Sequence, residues 1–136
     1  MAWRVAKSLL RLREQINELA PNRSKASDGT IGDAAHASRN SDHNPWVKDG
    51  SIGVVTAMDI TNDIANGADA QALVDALVSS RDPRIKYIIW NRKIVNSRIQ
   101  PWVWRNYTGT NPHTKHFHIS VRPEKAAYDS TQPWQI

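Results

Sequence analysis

The chain has 136 residues, 40% of them hydrophobic and 23% charged, which suits a single globular domain over residues 1–136 and excludes wholesale disorder. The absence of cysteine removes disulfides, thiolate metal sites and a cysteine nucleophile together. A formal net charge of +5 suits nucleic acid, an anionic membrane or an acidic cell wall, but the basic residues are scattered rather than blocked, so charge alone selects none of them.

No apolar stretch approaches the length of a membrane span, and the N-terminus lacks the apolar core of a signal peptide. Val5, Leu9, Leu12, Ile16 and Leu19 instead recur at three- and four-residue intervals, predicting an amphipathic helix over residues 2–19 that stops before Pro21. Residues 22–53, rich in Ser, Asp, Gly, Asn and Pro, read as a long loop of the functional kind. The apolar run at 54–60 predicts a buried strand. Asp69 is a candidate N-cap for a second helix carrying Ala72, Leu73, Ala76 and Leu77 on one face. Residues 86–90 predict a strand, with 93–95 returning across Asn91-Arg92, and Trp102 and Trp104 flank a further extended piece. Phe117, Ile119 and Val121 alternate with His116, His118 and Ser120, the period of a strand. Together these elements predict an α+β domain, a small antiparallel sheet with helices packed on it.

Three segments carry chemistry. On a strand, His116 and His118 point to one side, about 7 Å apart, an arrangement that by itself fits a solvated polar face as well as a site. Asp59 lies inside the apolar run, where a carboxylate must be paired or bind metal unless it caps the next turn through Thr61 and Asn62. Ser41-Asp42-His43-Asn44-Pro45 alone reads as a turn. Combined, His43, Asp59 and His118 offer two imidazoles and a carboxylate, and zinc with three such ligands keeps a fourth position for water, as catalytic sites do.

In this order the motifs resemble the zinc D-alanyl-D-alanine carboxypeptidases and the related L-alanyl-D-glutamate peptidases of phage endolysins. Ser41-Asp42-His43 and Ala57-Met58-Asp59 look like the family's first ligand motifs, and His113, His116 and His118 like its closing histidines. The resemblance covers roughly residues 23–121 and implies a hedgehog/DD-peptidase-like fold, a zinc cofactor and a peptidoglycan stem peptide as substrate, with neither nucleic acid nor stable membrane insertion. It implies ligands His43, Asp59 and His118, His116 as general base, and His113 as oxyanion stabiliser or partner in proton transfer. Arg23 would bind a substrate carboxylate, with Arg39 as the substitute candidate. Fifteen residues separate His43 from Asp59, more than the family's usual spacing, so residues 46–54 read as an inserted loop, with Asp63 and Asp42 as alternative ligands. Without an export signal in the sequence, a lysis enzyme released to the cell wall by a separate membrane protein is expected.

His36 reads as an ordinary loop residue, Trp90, Trp102 and Trp104 as core, and Trp46 as a wall of the substrate cleft. Two other functions compete. Asp42-His43-Asn44-Pro45 superficially suggests a His-Asn-His nuclease, which leaves the three C-terminal histidines without a role, and a peptidase-like fold can persist in a non-catalytic wall or virion component.

Overall fold

The apolar run at 54–60 is interrupted at Thr56, and that interruption divides the structure into two sheets. The computed structural model describes residues 2–30, 41–109 and 111–136. Strand β3 (Ile52–Val55) lies between β1 (Trp3–Val5), to which it is parallel, and β2 (Val47–Asp49), to which it is antiparallel. At Thr56 the backbone leaves this sheet: its N–H donates to the Asp42 carbonyl and its carbonyl accepts from Val121 N–H. Strand β4 (Ala57–Thr61) then joins a five-stranded antiparallel sheet ordered β4, β8 (His116–Val121), β5 (Ile85–Trp90), β6 (Lys93–Asn96) and β7 (Arg105–Asn106). The one strand expected over 54–60 is therefore two. Residues 46–54, expected as an inserted loop, largely form the β2–β3 hairpin, turning at Gly50 with φ +62°.

The N-terminal expectation also needs correction. Helix α1 spans Lys7–Leu19, and residues 3–5 are strand rather than first turn, because β3 offers them an open edge and Ala6 N–H bonds to Val55 O. Only part of the periodic stripe is buried: Leu9, Leu12 and Ile16 face the core, whereas Leu19 is exposed. Helix α2 (Ala70–Ser80) begins as expected, the Asp69 carboxylate accepting from Ala72 N–H. The β5–β6 hairpin turns at Asn91 and Arg92, both left-handed at φ +50° and +66°, as a two-residue I′ loop requires. Trp102 lies in a turn at φ +62° and packs with Trp104 against the core, so the next extended piece starts at Arg105 rather than between the two tryptophans. Trp90 is buried in the core.

Alternation in the large sheet separates packing from chemistry. Met58 and Ile60 of β4, Ile88 of β5, and Phe117, Ile119 and Val121 of β8 join Leu9, Leu12 and Ile16 of α1 and Leu73, Val74 and Leu77 of α2 in one core. Full burial of each large apolar side chain contributes roughly 1.5–3 kcal/mol. Asp59, Thr61, Tyr87, His116, His118 and Ser120 occupy the alternate positions of the same strands. A final short helix, α3 (Lys125–Tyr128), precedes a C-terminal segment anchored on α1 through Trp134, whose indole N–H donates to Ser8 O. Among the described residues no helix is long and apolar enough to cross a membrane.

Candidate metal centre

Register places Asp59 directly opposite His118 on neighbouring antiparallel strands, with Thr61 opposite His116. The Asp59 carboxylate sits 3.2 Å from His118 Nδ1 through Oδ1, and 3.3 Å from His43 Nε2 through Oδ2. His116 Nε2 lies 3.7 Å from the same Oδ2. His113 closes the cluster, its ring centroid 4.9 Å from that of His116 and 5.7 Å from that of His118. Four imidazoles drawn from two loops and one strand thus surround a single carboxylate.

The loop that carries His43 is stitched to the frame by short-range turns and one long-range bond. Ser41 Oγ accepts from His43 N–H, Ser41 O accepts from Asn44 N–H, and Asp42 O takes the Thr56 N–H at the break between sheets. The Asp42 carboxylate accepts from Lys86 Nζ at 3.0 Å and Trp46 Nε1 at 3.0 Å. Asp63 is also engaged, accepting from Ser24 N–H and Asn66 Nδ2. Of the three carboxylates considered for the site, Asp59 is the one grouped with His43 and His118, and that group could hold a metal ion.

Ring orientation strengthens this reading. His43 Nδ1 lies 2.7 Å from the Thr30 carbonyl, which can only accept, so Nδ1 carries the proton there and Nε2 faces Asp59. His118 Nε2 bonds to Ser120 Oγ at 2.7 Å, leaving Nδ1 for Asp59, and the ring stacks on Tyr87 with centroids 5.3 Å apart. Binding the remote nitrogen to an outer partner is how metal-ligating histidines are oriented. Asp59 Oδ1 is buried with no aligned hydrogen-bond donor, and both ring nitrogens of His116 are buried without a partner. Buried polar atoms left this way are rare and expensive unless something else binds them. Two imidazoles and a carboxylate are a donor set that divalent first-row metals accept.

Electrostatics follow from the same contacts. Burial pushes the Asp59 carboxyl up, but the flanking His118 and His43 imidazoles outweigh it and hold Asp59 far below the usual carboxylate range. Burial likewise opposes charging His43, yet Asp59, the Thr30 carbonyl and Asp42 together raise it. For His118 burial wins over the attraction of Asp59, and its pKa falls. Burial, with the nearby His118 and His116 rings, pushes His113 down to about 4. Tyr87 is pushed up to about 12, first by burial and then by Asp42.

His113 is positioned by its backbone. It adopts φ +54°, its carbonyl accepts from Asn91 N–H in the β5–β6 turn, and its Nδ1 lies 2.7 Å from Asn111 O. Nδ1 therefore carries the proton and Nε2 keeps a lone pair. In that tautomer Nε2 can accept a proton, and it becomes a donor to an oxyanion only after doing so.

Arg23 is placed differently from expectation. Its side chain is 0% exposed and forks onto Asp28 through two bonds of 3.0 and 2.8 Å, while Nε donates to Asn17. A guanidinium spent in this way is not presented to a substrate carboxylate. It instead fixes the strap at residues 28–30: Asp28 accepts from Thr61 N–H and Oγ1–H, Gly29 pairs both backbone groups with Asp59, and Thr30 O orients His43. The substitute candidate Arg39 and the loop residue His36 lie outside the described residues. Trp46 is half exposed beside the His43 loop. Of the outer partners, Ser120 was findable, since it follows His118 at strand period; Thr30 and Asp28 carry no local signal.

Two outcomes follow. Arg23→Ala leaves the Asp28 carboxylate without its cation and should cost about 3 kcal/mol in denaturant unfolding, as broken buried pairs do. Arg23→Lys should recover only part of this, since it cannot fork, and both variants should weaken metal binding through Thr30. A stably folded Arg23→Ala protein altered only in KM would instead restore the substrate-binding role. Metal binding should also depend on one proton. His43 must lose the proton that its raised pKa retains, Asp59 stays ionised and His118 stays neutral. Affinity is therefore full above the raised His43 value and falls about tenfold per pH unit below it. Competition with a chelator across about pH 5 to 8 measures this, and a slope of two protons would contradict the assignment.

Compared with known proteins, the chain matches no family model, no curated protein and no solved structure, so the chemistry of this cluster rests on its own geometry.

Proposed function

We propose that the protein is a zinc-dependent peptidase acting on the stem peptides of bacterial peptidoglycan. The observation that carries this reading is the pairing of a candidate metal group, His43, Asp59 and His118, with a half-buried imidazole beside it, His116, whose ring nitrogens make no hydrogen bond. Structural metal sites are closed by four protein ligands, whereas three ligands and an adjacent base are the composition of a hydrolytic site. The choice of zinc, of a peptide bond and of the cell wall rests on the motif resemblance, to which the clustering of the matched histidines lends support. The C-terminal histidines lie around His43, so a nuclease site built on His43 alone would leave them unexplained.

When bound, zinc supplies Lewis acidity and lowers the pKa of bound water to about 7. The protein's own residues then divide the work. Thr30 O and Ser120 Oγ hold His43 and His118 in orientation, and Tyr87 restricts the His118 ring by stacking. His116, with no hydrogen bond to break, takes a proton on a ring nitrogen and returns it to the leaving amine. His113 Nε2 can receive that proton in relay. Trp46 provides an exposed aromatic wall beside the His43 loop for the substrate peptide.

Digesting purified peptidoglycan with the zinc-loaded protein, and identifying muropeptides by mass spectrometry, tests the proposal and names the bond. His43→Ala and His118→Ala should lose zinc and hydrolysis together. His116→Ala should keep zinc and lose about a hundredfold to ten-thousandfold in kcat, the usual worth of a general base. Zinc binding with no peptide product would favour a non-catalytic wall component, and cleavage of plasmid DNA in its place would favour the nuclease.

A further inference from the structure

Beyond the His43 group, a second set of donors among the described residues comes close enough to share an ion: Asp59, His113 and His116, each offering one ligand atom within 4.8 Å of the others. We propose that these three residues form a second divalent-cation site, weaker than the first and joined to it through the Asp59 carboxylate.

Three features of the structure prepare this site. His113 is fixed by Asn111 and by the Asn91 N–H, and its tautomer leaves the Nε2 lone pair without a proton. His116 keeps both ring nitrogens buried and unbonded, so a cation meets no competing partner there. Asp59 reaches both groups, its Oδ2 lying 3.3 Å from His43 Nε2 and 3.7 Å from His116 Nε2, and a carboxylate can bridge two ions where a neutral imidazole cannot. Two nitrogens and one oxygen select borderline ions such as zinc, cobalt or nickel over calcium and magnesium. The second ion binds more weakly because two divalent charges repel across one shared carboxylate.

The site has a consequence that rests on the peptidase reading. An ion held by His116 occupies the lone pair that the base needs, so zinc would activate at low concentration and inhibit in excess. The site itself does not depend on that reading.

Equilibrium dialysis of the full chain against zinc tests it. The wild type should take up two ions, the second on the order of a hundredfold more weakly, and His113→Ala should take up one. Should that variant fail to fold, wild-type stoichiometry decides alone: saturation at one ion overturns the site, as does a folded His113→Ala protein that still binds two. Peptidoglycan hydrolysis measured over the same zinc range should rise with the first ion and fall with the second. Two ions bound without hydrolysis at any concentration would sink the peptidase reading and leave the second site standing. One ion with hydrolysis undiminished by excess zinc would do the reverse.

Discussion

Everything in the candidate centre turns on one buried carboxylate. Asp59 lies on the side of β4 opposite the core residues Met58 and Ile60, where desolvation would ordinarily neutralise it. It stays ionised because imidazoles approach both of its oxygens. That arrangement is incomplete as it stands: His43 Nε2 and Asp59 Oδ2 are both electron-rich when His43 is neutral, and at 3.3 Å they need a cation between them. A proton supplies it at low pH, which is why Asp59 raises the His43 pKa. At higher pH a metal ion could supply it, since His43, Asp59 and His118 form a group able to hold one.

Holding this geometry takes more than the ligands. The strap at residues 28–30 binds β4 at successive points, and the Arg23–Asp28 pair anchors the strap. The burial of Arg23 is thus tied to the orientation of His43 through two short steps, Asp28 to Thr61 along β4 and Gly29 to Thr30 along the strap. On the far side, Lys86 and Trp46 clamp Asp42, the residue immediately before His43. Residues 28–30 and Asp42 are thus tied to the large sheet by bonds to β4 and β5.

The sequence was most informative where one interaction range decides the outcome. Strand β8 shows its two faces by alternation, Asp69 caps α2 by a contact three residues away, and Asn91-Arg92 turns a hairpin whose register follows from its length. Grouping His43, Asp59 and His118 was possible from residue chemistry and family likeness, although no local rule brings them together. Reading failed where tertiary contacts override local pattern. Val5 extends the helical stripe of Leu9 and Leu12, yet the free edge of β3 takes residues 3–5 as a strand. The apolar run at 54–60 shows no break, because Thr56 turns between sheets on bonds to the distant Asp42 and Val121. Arg23 looked free because its partner Asp28, five residues on, lies in a polar stretch where ion pairs are usually solvated.

The four histidines are chemically identical in sequence and distinct in the fold, and the difference lies in what each remote nitrogen meets. A carbonyl behind His43 and a hydroxyl behind His118 fix which nitrogen faces inward, as a ligand requires. A carbonyl behind His113 does the same, but at a left-handed backbone position at the rim of the cluster. No hydrogen bond holds either nitrogen of His116. The rings proposed to hold the tighter ion, His43 and His118, are the anchored ones, and the proposed base, His116, is unanchored, which also leaves it open to the weaker second ion. The hydrogen-bond pattern behind the rings therefore separates the candidate ligands of the first ion from the candidate base more sharply than their distances from Asp59, which differ by only a few tenths of an ångström (3.2, 3.3 and 3.7 Å).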